Sequence, residues 1–224
     1  MSIAIFGDSI VNRACDEIGG GWTSRLHNLM SREFKTVYPS GVVHATHAVW
    51  ELGIGGDTIS GIQKRYENEL LARIEIGANG DPTAVLVGLA VGINDSRLNE
   101  ATKIEETPID VFNERYSKVL YGLETLGVDV FLVGLTPVDE AKVQPVEYSQ
   151  KLDSYFNERI AIFDTAIAEL AASHNLSFVD IYDKYQRSIV ADGYDEWLFD
   201  GLHPNSQGHQ LIAECVYDTI KPKL

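Results

Sequence analysis

The run Ser2-Ile3-Ala4-Ile5-Phe6-Gly7-Asp8-Ser9-Ile10 decides how the rest of the chain is read. Its first five residues form a short apolar run, and Gly7-Asp8-Ser9 follows at once. A buried strand ending this way delivers a hydroxyl to the carboxyl edge of a sheet, the edge at which ligands bind in open α/β folds. On their own, Gly, Asp and Ser are equally good turn formers. A catalytic reading of Ser9 therefore depends on the chain supplying a base, an acid to orient it, and an oxyanion hole.

Outward from this strand, helix and strand signals alternate. Residues 22–34 carry Trp22, Leu26, Leu29, Met30 and Phe34 near helical spacing, and 58–76 carry Ile59, Ile62, Tyr66, Leu70 and Ile74 on one face. Between them, 48–52 reads as a second strand after the break at Pro39-Ser40-Gly41, and it ends in the Gly-rich loop 53–58. A turn is expected at 78–82. Residues 83–89 follow, apolar without alternation, as in a parallel strand covered on both faces. Thr107-Pro108 predicts an N-cap followed by the first helical residue, with the helix closed by Gly127. Strands are expected at 128–135 and 176–181. Long helices are expected at 149–174 and 205–220, with 182–200 mostly irregular. Five strands separated by helices imply one α/β domain over residues 1–224, a doubly wound parallel sheet with helices on both faces.

Composition narrows the function. The 224 residues are 45% hydrophobic and 23% charged, ordinary for a soluble globular chain. The formal net charge of -15 argues against nucleic acid and against anionic membrane surfaces, both of which draw Lys and Arg clusters. Cys15 and Cys215, near opposite ends, are expected to be reduced thiols. The N-terminus has no basic region, and its apolar run of about five residues falls short of the ~7–15 of a signal core. No segment approaches the ~20 apolar residues of a membrane span. These features predict a cytoplasmic protein with no membrane insertion; its oligomeric state is not encoded in any pattern.

Four polar clusters fall on the carboxyl side of expected strands: Asp8-Ser9, Gly55-Gly56-Asp57, Gly92-Ile93-Asn94-Asp95 and Asp200-Gly201-Leu202-His203-Pro204. An imidazole suits proton transfer at neutral pH, and a carboxylate at its second nitrogen fixes its tautomer. The Asp200-x-x-His203 spacing can place both groups side by side, and Pro204 biases His203 to extended backbone and can open the closing helix. Taken alone the pair is also a helix-start signal. Gly56 could offer an unobstructed backbone N–H and Asn94 a side-chain amide to an oxyanion; each is equally a turn residue. His209 on the closing helix reads as a packing or surface residue. His44 and His47 have no acid at ligand spacing, so no zinc signature is present. The 53–58 loop lacks the full dinucleotide fingerprint and the lysine of a P-loop, and no Gly-x-Ser-x-Gly elbow exists.

Together these blocks resemble the GDSL esterases and lipases, also called SGNH hydrolases. Gly7-Asp8-Ser9-Ile10 is similar to the family's Gly-Asp-Ser-Leu block, Gly56 falls in its glycine block, Gly92-Ile93-Asn94-Asp95 matches Gly-x-Asn-Asp, and Asp200-Gly201-Leu202-His203 matches Asp-x-x-His. The resemblance implies a flavodoxin-like three-layer α/β/α sandwich on a five-stranded parallel sheet, and ester hydrolysis without metal or cofactor. It also implies roles: Ser9 as nucleophile, His203 as base, Asp200 as its orienter, and Ser9, Gly56 and Asn94 as the oxyanion hole. Ile10 replaces the usual Leu, a volume-conserving change. Glu51 stands where many relatives carry Asn, which puts the local hydrogen bonds of that loop in doubt.

A small or short-acyl ester is the expected substrate, since no long apolar lid is visible. Residues 96–107, 136–148 and 182–200 are expected to wall the pocket. Tyr194, Trp197 and Phe199 either line it or pack the loop against the core. Two other readings remain: a flavodoxin-like module holding a phosphate or flavin at Asp8-Ser9 and Gly55-Gly56, and an inert protein that binds esters or glycans.

Overall fold

The computed structural model describes residues 2–41, 43–45, 48–74, 85–149 and 152–223. In chain order the strands are β1 (Ser2–Gly7), β2 (Lys35–Val37), β3 (Val43–Ala45), β4 (Ala48–Gly53), β5 (Val85–Ala90), β6 (Leu98–Asn99), β7 (Asp129–Val133), β8 (Asp153–Ser154) and β9 (Ser177–Val179). The helices are α1 (Gly21–Glu33), α2 (Ile59–Leu71), α3 (Ile109–Thr125), α4 (Asn157–Ser173), α5 (Tyr182–Asp192) and α6 (Ser206–Ile220).

One parallel sheet of five strands runs β4-β1-β5-β7-β9. It puts β1 inside the sheet and reverses the winding beside it, so the end of β1 opens at the crevice where open α/β sheets bind ligands. Alternation along β1 divides the core. Ala4 and Phe6 face the layer of α2, α3 and α4, packing with Ile59, Phe112 and Phe163. Ile3 and Ile5 face the layer of α1, α5 and α6, packing with Trp22, Leu26, Tyr185 and Ile212. Both faces of β1 are fully buried, which explains a strand that is apolar throughout. Each such side chain contributes roughly 1.5–3 kcal/mol by burial. Among the described residues no helix is long and apolar enough to cross a membrane.

The expected elements are recovered with five changes. The helix expected over 149–174 begins only at Asn157, because Leu152 is left-handed (φ 56°) and Asp153–Ser154 pair antiparallel with β6 instead. The stretch 182–200, expected to be mostly irregular, contains α5. Only Tyr185 and Ile189 are buried in that helix, a stripe too narrow to stand out as a period. The cap of α3 is Pro108, not Thr107, because the Thr107 hydroxyl is committed to Asp95 Oδ1 at 2.8 Å. Asn205 caps α6, its side chain accepting from the N–H groups of Gln207 and Gly208, so Pro204 precedes the cap. The hairpin of β2 and β3 has no counterpart in the sequence reading. The turn expected at 78–82, the first two residues of the strand at 83–89, and His47 lie outside the described residues.

Gly127 follows α3 at φ 69°, the left-handed stop its position predicts. Helix α1 has no side-chain cap of its own. The Asp16 carboxylate does that work from outside, accepting from the Gly19 and Gly21 N–H groups and pairing with Arg25.

Candidate active site

The loop that carries Ser9 is shaped by two close approaches. A Cβ on Gly7 would lie 2.4 Å from the Ala90 carbonyl oxygen, and one on Gly53 would lie 2.5 Å from the Asn12 nitrogen. Only glycine lets β1 and β4 end this close beneath the turn. Beyond Gly7 the chain coils back: the Asp8 carbonyl accepts from Asn12 N–H at 3.0 Å and the Ser9 carbonyl from Ala14 N–H at 2.9 Å. Asp8 braces this coil, its Oδ1 accepting from Ile10 N–H at 2.9 Å. Burial pushes the Asp8 carboxyl up to about 7.

Ser9 Oγ lies 2.9 Å from His203 Nε2, across 194 residues of sequence, and His203 Nδ1 lies 2.7 Å from Asp200 Oδ2. Asp200 divides its two oxygens. Oδ1 accepts from the Leu202 and His203 N–H groups at 3.0 and 2.8 Å, closing a turn in which Gly201 takes φ 89°; Oδ2 faces the ring. Burial pushes this carboxyl up, but the His203 ring and the two backbone donors outweigh it and hold it near 2. An ionised carboxylate only accepts, so Nδ1 carries the ring proton and Nε2 is free to accept from the Ser9 hydroxyl. The loop is fixed further by Phe199 N–H donating to the His203 carbonyl at 2.8 Å and Asp139 N–H to the Gly201 carbonyl at 2.8 Å.

Gly56 sits in a turn closed by Asp57 N–H donating to the Ile54 carbonyl at 3.0 Å, with Gly56 at φ 78°. That conformation favours glycine. Arg65 of α2 holds the turn, donating to Asp57 Oδ2 at 2.9 Å and to the Gly7 carbonyl at 3.1 Å. Asn94 follows β5 and leans on the same turn, its Nδ2 donating to the Asp57 carbonyl at 3.0 Å. Its Oδ1 accepts from the Tyr155 hydroxyl at 2.9 Å. One Nδ2 hydrogen therefore remains for the pocket. Asp95 next to it is structural: it accepts from Ile59 N–H at the start of α2 and from Thr107, and burial pushes its carboxyl up to about 7.

These groups open into a pocket of about 450 Å³ whose lining includes Ser9, Gly56, Asn94, Tyr148, Tyr155 and His203. Arg97, Val146 and Leu202 also line it. Two of the three segments expected as walls contribute, through Arg97 and through Val146 and Tyr148. The third does not: Tyr194 and Trp197 pack against the α1, α5 and α6 core, and Phe199 is exposed. Tyr155 lay hidden within an expected helix, and no motif flagged it. Of the other histidines, His209 is buried, accepting from Trp22 N–H at Nδ1 (3.2 Å) and donating from Nε2 to the Ala14 carbonyl (3.0 Å). His44 lies in β3, which pairs with β2 outside the five-stranded sheet. Glu51 pairs with Arg13 and accepts from the Thr23 hydroxyl, so it ties the Ser9 loop to α1. Both cysteines are free thiols.

The chain is similar to known proteins over nearly its whole length. The sequence pattern of the family described as GDSL-like lipase/acylhydrolase matches residues 3–216. An isoamyl acetate-hydrolyzing esterase of Saccharomyces cerevisiae is 21% identical, over 98% of this chain and 88% of that protein. Similar solved structures include an acetylxylan esterase from Geobacillus stearothermophilus, with TM-score 0.71, 18% identity, and 98% of this chain and 93% of that one covered. A lipase/acylhydrolase from Enterococcus faecalis has TM-score 0.72, 23% identity, and 100% and 96% covered. These two share the fold.

Proposed function

We propose that this chain, which belongs to the GDSL-like lipase/acylhydrolase family and is therefore an ester hydrolase, cleaves small or short-acyl esters using Ser9, His203 and Asp200. The observation that carries the reading is the unbroken hydrogen-bond chain from Ser9 Oγ through both ring nitrogens of His203 to Asp200 Oδ2. Its reactive end opens into the pocket. The whole of residues 1–224 is taken as one hydrolase domain acting in the cytoplasm on a small-molecule ester.

Ser9 Oγ adds to the ester carbonyl as its proton passes to His203 Nε2. Asp200 stays ionised and stabilises the imidazolium. Negative charge on the carbonyl oxygen meets three donors, the Ser9 and Gly56 N–H groups and the remaining Asn94 amide hydrogen. Losing one such donor typically costs about 3–4 kcal/mol. The Nε2 proton then goes to the alkoxy oxygen, the C–O bond breaks and the alcohol leaves, with the acyl group on Ser9. Water, losing a proton to Nε2, adds to that acyl group, and the acid is released as Ser9 regains its hydrogen. The reading uses no metal and no cofactor. The yeast relative and the Geobacillus neighbour both act on acetyl esters, which favours a short acyl group here.

The test is hydrolysis of a short-chain p-nitrophenyl ester together with labelling by a fluorophosphonate. Wild type should turn over and label at Ser9, while folded Ser9→Ala and His203→Ala should lose turnover. Near wild-type turnover in either variant overturns the assignment. Nucleotide- or flavin-dependent stabilisation with an unlabelled Ser9 would return the binding-module reading.

A further inference from the structure

We propose that Cys15, Asp200 and His203 form an inhibitory binding site for a zinc-class divalent metal ion. The proposal rests on His203 being the catalytic base. Cys15 follows the nucleophile loop in a left-handed conformation, φ 64°, and its Sγ lies 3.9 Å from Asp200 Oδ2. One ligand atom from each of the three residues lies within 4.8 Å of the others. Cys15 and Asp200 are half-buried, so an ion can reach them from solvent. Thiolate, imidazole and carboxylate are the donors zinc takes, and three protein ligands leave a fourth position for water. Tetrahedral zinc bonds would set sulfur and carboxylate oxygen about 3.6 Å apart, and nitrogen and oxygen about 3.4 Å apart. The first spacing is nearly present. The second requires the 2.7 Å His203–Asp200 hydrogen bond to open and admit the ion.

The proton balance makes the site inhibitory. The ion takes the lone pair of His203 Nδ1, so the ring's single hydrogen moves to Nε2. The Cys15 thiol binds as thiolate and releases one proton to solvent. An Nε2 that carries hydrogen donates to Ser9 Oγ and cannot remove its proton.

The test uses the full chain after treatment with EDTA. Added Co2+ should give a thiolate-to-metal charge-transfer band in wild type and none in Cys15→Ala. Zn2+ should abolish hydrolysis of p-nitrophenyl acetate reversibly, EDTA restoring it. Cys15→Ala should hydrolyse at the wild-type rate and need roughly 10-fold more Zn2+, or higher, for the same inhibition. A wild-type protein without the band, or equal Zn2+ sensitivity in both proteins, overturns the site. A Cys15-dependent band with hydrolysis untouched supports the metal site and removes His203 from the catalytic role instead.

Discussion

Tyr155 donates its hydroxyl hydrogen to Asn94 Oδ1 at 2.9 Å, and both side chains are buried. That bond decides which way the Asn94 amide faces. With Oδ1 held by the phenol and one Nδ2 hydrogen on the Asp57 carbonyl, the remaining hydrogen has a fixed direction. A flipped amide would set Nδ2 against a donor and present oxygen to the oxyanion. Tyr155→Phe should lower kcat roughly 10-fold with little change in KM, since the loss falls on transition-state stabilisation. Its stability cost should be only about 1 kcal/mol. Steady-state kinetics checks this; an unchanged kcat would show that Asn94 is oriented without the phenol.

Asp200→Asn tests the tautomer. The amide carbonyl can still accept from Leu202 and His203 N–H, so the turn should hold. The amide nitrogen would then donate to Nδ1 and leave hydrogen on Nε2. Activity should fall by roughly three to four orders of magnitude, as in other hydrolases of this type, while the thermal midpoint stays within a few degrees. Circular dichroism alongside ester hydrolysis separates the two outcomes.

Gly56→Ala separates backbone conformation from crowding. A Cβ there meets nothing within 4 Å, so the cost comes only from the left-handed φ of 78°. That penalty is about 1 kcal/mol, or roughly 2–4 °C in midpoint for a chain this size. Relaxation of the turn should swing the Gly56 N–H away and lower kcat. A variant that is destabilised but fully active would remove Gly56 from the oxyanion hole.

Stability should fall as the medium becomes less acidic. Burial raises the folded Asp8 carboxyl from 3.8 to about 7. Its contribution is complete below the unfolded value and is lost as pH rises toward 7; Asp95, also raised to about 7, adds to the same slope. Asp200, held near 2, works the opposite way and loses stabilisation only in strong acid. A full proton of difference is worth about 1.4 kcal/mol per pH unit. Asp8→Asn, which keeps an oxygen for Ile10 N–H, should flatten the decline in midpoint between pH 5 and pH 7, as differential scanning calorimetry would register. An equal slope in both proteins would place the effect elsewhere.

The sheet and the positions of Ser9, Gly56, Asn94, Asp200 and His203 were legible because each depends on short-range signals. A fully apolar strand, a glycine-rich turn and an Asp-x-x-His spacing are written locally. Tyr155 was not, since its segment carries helical composition until a left-handed Leu152 and the β6–β8 pairing interrupt it. Tyr194 and Trp197 take the second of the two readings left open for them: they lie near His203 in sequence, yet the unexpected helix α5 draws them to the core. Cys15 and Asp200 are 185 residues apart, and no spacing rule joins them.

His209 clasps the Ala14 carbonyl and the Trp22 N–H from within α6. The loop that carries the Ser9 hydroxyl is thereby fastened by a segment 195 residues further along the chain. A nascent chain holding Ser9 but not yet α6 lacks that clasp. On the proposed reading, turnover therefore waits on α6, and a chain lacking that helix leaves Ser9 on an unfastened loop.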